Sequence, residues 1–93
     1  MVADASPLVV ADTFSLTRGG LVLVFERDPD PPPAARRLRV RVTRPDGTAA
    51  EHDAQVEFAL KPPGEVVVFL VPGATRPDIP VDSRVHVLEP TPA

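Results

Sequence analysis

Residues 11–26 read ADTFSLTRGGLVLVFE, and the fold turns on what Thr17-Arg18-Gly19-Gly20 does in the middle of it. On either side lie short apolar segments rich in Val, Leu and Phe. The two glycines can take positive φ without a steric penalty, so the polar group is read as a turn that folds one strand back on the next. The same grammar continues along the chain, where apolar blocks are separated by Pro, Gly and Asp. Arg44-Pro45-Asp46-Gly47 has proline where φ near −65° is wanted and glycine at the end, as a type I turn prefers. Lys61-Pro62-Pro63-Gly64 also ends one strand and starts another.

Six strands follow from this punctuation: Leu8 to Thr17, Gly20 to Glu26, Arg37 to Thr43, Ala49 to Leu60, Glu65 to Val71 and Arg84 to Leu88. No window keeps apolar residues at three-and-four spacing long enough for a helix. The 93 residues suffice for one hydrophobic core and not for two. An all-β domain of this size is expected to close into a single six-stranded antiparallel Greek-key barrel, because closure removes exposed edges. Asp28 to Ala35, with three consecutive prolines, is expected to be a stiff surface connector between the second and third strands, its use as a polyproline ligand being the lesser reading. Residues 1–6 and 90–93 are expected to fray.

Composition excludes several functions. The chain has no cysteine, so disulfides and thiolate sites are impossible. Acidic residues stand where a signal peptide would carry basic ones, and no apolar run reaches the length of a membrane span, so cytoplasmic location is expected and no membrane partner. The formal charge is −3, and tyrosine and tryptophan are absent, which disfavours a base-stacking surface. No Walker A or Rossmann glycine pattern is present.

Catalytic or metal-binding chemistry is hard to assemble. His52 lies between Glu51 and Asp53, but strand neighbours face opposite sides. His86 reads as a half-exposed strand residue, Ser15 and Ser83 lack an activating motif, and Asp78 and Asp82 flank an apolar triplet without a diagnostic pattern. No catalytic residue, cofactor or metal is assigned, and the protein is not expected to be an enzyme.

The strand faces offer two surfaces. In RLRVRVT, Leu38, Val40 and Val42 point one way and Arg37, Arg39 and Arg41 the other, about 6.6 Å apart. With Arg18, and with Arg36 and Arg44 as extensions, these arginines are candidate contacts for RNA phosphates; the competing reading pairs them with carboxylates on adjacent strands. In QVEFALK, Val56, Phe58 and Leu60 are core candidates. LVLVF and EVVVFLV are apolar on both faces, which one barrel core does not require. They are read as a surface for a protein partner or a homodimer, with Leu23, Phe25, Val67 and Phe69 as the candidate contacts.

Two segments carry a resemblance. ADTFSLTRGGLVLV resembles the first hairpin of domain 2 of elongation factor Tu and related translational GTPases, and VVVFLVPGATRPDIPVDSRVHV resembles the end of that domain. Small standalone proteins of this barrel type look closest. The resemblance covers roughly 40 of the 93 residues. It implies that Phe14 and Leu16 face into the barrel, and that Ile79 plugs it before the closing strand. The chain departs from the family at Pro80-Val81-Asp82-Ser83, which lacks the usual glycine, and at RDPDPPPAARRL, which replaces a compact loop. In the family this barrel packs on a GTPase domain and helps to hold the aminoacyl end of a transfer RNA. These 93 residues carry no GTPase motif, and no position matches the tRNA contacts residue by residue. The expected function is therefore a non-catalytic binding module for a protein or for itself, the alternatives being an RNA- or ribosome-associated accessory and a small enzyme.

Overall fold

The computed structural model describes residues 7–29, 35–62 and 64–90. Six strands form: β1 (Leu8–Ser15), β2 (Leu21–Phe25), β3 (Arg37–Thr43), β4 (Ala49–Lys61), β5 (Gly64–Val71) and β6 (Arg84–Pro90). They close into an antiparallel barrel in the order β1-β2-β5-β4-β3-β6. β3, β4 and β5 are joined by hairpins and β6 returns to lie beside β3, which is a Greek-key order. Among the described residues there is no helix, and none therefore long and apolar enough to cross a membrane. Pro90 belongs to β6, opposite Leu38, rather than to a frayed end. Positions 1–6, 30–34 and 91–93, where the remainder of the expected tails and most of the proline connector fall, lie outside the described residues.

Residues 17–20 are a turn. The Gly19 N–H donates to the Leu16 carbonyl at 3.0 Å and the Leu16 N–H to the Gly20 carbonyl at 3.0 Å, while both glycines have positive φ. Gly20 also sits close against the end of β5, where an added Cβ would lie 3.3 Å from the Val71 carbonyl oxygen. The β3–β4 turn closes similarly, with the Gly47 N–H on the Arg44 carbonyl at 2.9 Å and Gly47 at φ 92°. The glycine-free turn before β6 is solved differently. Asp82 itself adopts φ 75°, and the Ser83 N–H reaches back to the Pro80 carbonyl at 3.1 Å.

The core is assembled by alternation. Leu21, Leu23 and Phe25 of β2 face Val71, Phe69 and Val67 of β5 inside the barrel, and Leu38, Val40, Val42, Ala54, Val56 and Val85 complete the wall. Phe25 and Phe69 meet edge to face, with ring centroids 4.9 Å apart. Ile79 is fully buried and belongs to the same cluster.

Four inward assignments are corrected. A β-bulge between Val10 and Asp12 inserts one extra residue into β1, so the inward position passes to Thr13. Phe14 and Leu16 consequently face out and are exposed, Phe14 by 52 %. Phe58 and Leu60 keep the inward phase of β4, but β4 runs beyond the last β3 partner at Gln55. They leave the barrel and are 63 % and 81 % exposed, whereas Val56 remains in the core.

Candidate functional site

The arginines of β3 are held by the register of the β3–β4 hairpin. Arg39 stands opposite Asp53 and Arg41 opposite Glu51. Arg39 reaches Asp53 at 3.0 Å and Glu51 at 3.4 Å, Arg41 reaches Glu51 at 3.4 Å, and Arg36 reaches Glu57 at 3.5 Å. The hydrogen bond to Asp53 is the main reason the Arg39 guanidinium is held above its ordinary pKa. The ridge is thus a charge ladder with acidic partners, and long exposed side chains of this kind contribute little to stability.

The other two predicted arginine positions separate from this ladder. Arg18 is exposed on the turn between β1 and β2, while β3 is flanked by β4 and β6. Arg37 lines a shallow hollow of about 370 Å³ with Asp53, Ala54, Gln55 and Pro72. His86, Asp78 and Asp82 do not line it. Arg44 turns away to clasp the barrel end: its Nε donates to the Asp78 carbonyl at 2.7 Å and its Nη1 to Thr48 Oγ1 at 3.1 Å.

Three further titratable groups have shifted pKa values. Asp78 accepts from the Thr75 N–H at 2.9 Å and the Thr75 hydroxyl at 3.0 Å, and these bonds hold its carboxyl below the usual range. Asp46 is lowered in the same way by the Thr48 hydroxyl and N–H. His52 lies opposite Val40 on the inward phase of β4. Burial pushes its pKa down, and its Nε2 is enclosed without a hydrogen-bond partner among the described residues, as is Ser83 Oγ. Asp78 and Asp53 oppose the shift, and Arg44 and Arg39 reinforce it. These groups tie the loops together rather than converge on a common point, and no cluster of three or more metal-ligating side chains occurs among the described residues.

The predicted partner contacts are corrected. Leu23, Phe25, Val67 and Phe69 are all buried in the core, because theirs is the phase that points into the barrel. The outward phase of the same strands is Val22 and Val24 on β2 with Val66, Val68 and Leu70 on β5. Across the strands these residues form rows: Phe14 beside Val22 and then Leu70, Val24 beside Val68, and Val66 beside Ala59 of β4. Val68 is only 4 % exposed although it stands outside the core cluster. An apolar outer face therefore runs across β1, β2 and β5, bounded by Asp12, Gln55 and Glu57.

The sequence signal for this face was the doubly apolar run, and the signal for the charge ladder was the matched two-residue spacing of Arg39 and Arg41 with Glu51 and Asp53 about one turn. The Arg44 clasp on a backbone carbonyl had no sequence signal. No family model, curated protein or solved structure matches this chain.

Proposed function

We propose that this protein is a non-catalytic binding module whose outer β1–β2–β5 face docks a protein partner. The observation that carries the reading is the set of rows formed by exposed Phe14 and half-buried Val22, Val24, Val66 and Leu70 on the outward phase of a closed barrel. An antiparallel sheet with one face on the core ordinarily alternates to polar residues on the other, and here the alternation is missing over two adjacent strands. A contiguous apolar patch with a polar rim is the composition of a protein interface. The elongation-factor-like resemblance supports the same reading at the level of the scaffold, since such barrels work by packing against other domains; a fold by itself carries no activity.

The arginine ladder supports an RNA-binding role less well, because Arg36, Arg39 and Arg41 each already lie within 3.5 Å of a carboxylate. The test is Leu70→Lys, which places a charge in the centre of the outer face without touching the core. Quantitative affinity capture should retain a defined set of proteins with the native chain, lose it with Leu70→Lys and keep it with Arg76→Ala in a distant loop. Identical capture by all three chains would sink the reading.

A further inference from the structure

We propose that a second copy of this chain adds to the edge of β4 left unpaired among the described residues, pairing residues 57–61 of the two copies antiparallel about a two-fold axis at Ala59. This surface is separate from the β1–β2–β5 face and does not depend on it.

The β4–β5 hairpin overhangs the barrel. β4 is paired with β3 only as far as Gln55, and the Val56 N–H makes the last bond on that side, to the Arg36 carbonyl at 2.7 Å. Because backbone groups alternate along a strand, Phe58 and Leu60 direct their N–H and C=O to the same side as Val56. Among the described residues nothing takes up those groups, whereas the other edge of the hairpin is occupied by the Asp28 carboxylate, which accepts the Val67 N–H at 3.4 Å. An open ladder edge with apolar side chains beside it is a template for strand pairing.

The sequence at that edge, Glu57-Phe58-Ala59-Leu60-Lys61, is complementary to itself when reversed. Centred on Ala59, the register sets Phe58 against Leu60 of the second copy and Glu57 against Lys61 of the second copy. In sequence the matched register positions thus carry opposite charge signs at both ends, with an apolar pair inside each. Phe58 and Leu60, the two most exposed large apolar residues described, would be the ones covered. Phe58 and Leu60 are also the residues whose backbone groups point outward, so each of the two pairs exchanges both its hydrogen bonds, with Ala59 facing Ala59 as the closely spaced, non-hydrogen-bonded pair. Pro62 and Pro63 end the run, having no N–H to extend the ladder. The contact is isologous and consumes the edge, so it stops at a dimer.

The absence of cysteine from the chain makes a direct test available. In the full chain, Ala59→Cys puts one thiol in each copy at the two-fold, where the close pair brings the Cα atoms to about 4.5 Å, inside the range a disulfide spans. Under mild oxidation this variant should form a covalent dimer rapidly and nearly completely, while Arg76→Cys, in an exposed loop, should do so only slowly. Adding Leu70→Lys should leave the cross-link intact, which separates this contact from docking on the outer face. Light scattering of the native chain should give a mass that rises toward twice the monomer with concentration, and Leu60→Pro, which deletes an edge donor, should return it to the monomer. Cross-linking of Ala59→Cys no faster than that of Arg76→Cys would overturn the proposal, whether or not Leu60→Pro folds.

Discussion

Leu23→Ala and Leu70→Ala remove the same atoms from opposite faces of one strand pair, and their comparison tests the inside-out assignment on which the interface reading depends. Leu23 is fully buried among core residues, and Leu70 is half-buried on the outer face. Truncating a buried leucine loses its transfer free energy and leaves a cavity, a cost of about 3–4 kcal/mol. At Leu70 the side chain is open to solvent, no cavity forms, and burying about half of three carbons is worth roughly 1 kcal/mol. The whole domain has roughly 5–14 kcal/mol to lose. With an m-value of about 1 kcal/mol/M for so short a chain, Leu23→Ala should lower the urea midpoint by about 3 M and Leu70→Ala by about 1 M. Far-UV circular dichroism is the assay, since the chain has neither tryptophan nor tyrosine to report by fluorescence. Equal shifts, or a larger one at Leu70, would refute the assignment of the two phases.

Three further outcomes follow from the geometry. Replacing Arg37, Arg39 and Arg41 together by alanine should leave the urea midpoint unchanged, and neither chain should bind single-stranded RNA tightly by fluorescence anisotropy; tight RNA binding lost in that variant would return the ridge to the functional site. Asp82 holds φ 75°, so Asp82→Gly should raise stability by up to about 1 kcal/mol and Asp82→Val should lower it by about 1–2 kcal/mol, read by thermal unfolding. His52 has its native pKa depressed below 6.5, chiefly by burial. The unfolded chain therefore binds the proton more readily, and stability should fall as pH drops from about 6.5 through the native pKa. His52→Gln should remove that part of the pH dependence, and an unchanged profile would place the titration elsewhere.

The legible parts of the fold were those fixed by local chemistry. Turn residues marked the ends of all six strands to within about two positions, because Gly, Pro and Asp act through backbone geometry that needs no tertiary context. Facing was legible only where one phase was polar. In β3, arginine against valine and leucine left a single choice, and Leu38, Val40 and Val42 are in the core. In β2 and β5 both phases are apolar, so alternation could not say which set faces in, and the outward set was missed. Phe14 and Leu16 failed for another reason: a bulge between Val10 and Asp12 shifts the count by one residue, and a strand's sequence does not announce its bulge. Phe58 and Leu60 have the correct phase, and only the lengths of their neighbours leave them outside the barrel.

The barrel closes where β1 meets β6, and that seam differs from the rest of the wall. Among the described residues it consists of Leu8 opposite Val85 and Val9 opposite Arg84, extended by the bonds of Val10 with Asp82 and Ser83. The β3–β4–β5 meander joins strands that are adjacent in sequence, whereas the seam joins the first strand to the last and must close the longest loop in the domain for the fewest bonds. Order in time follows from this: the meander zips early and the seam last. Opening is expected to begin at the seam, whose amides should exchange with solvent through smaller, more frequent excursions than those of the meander.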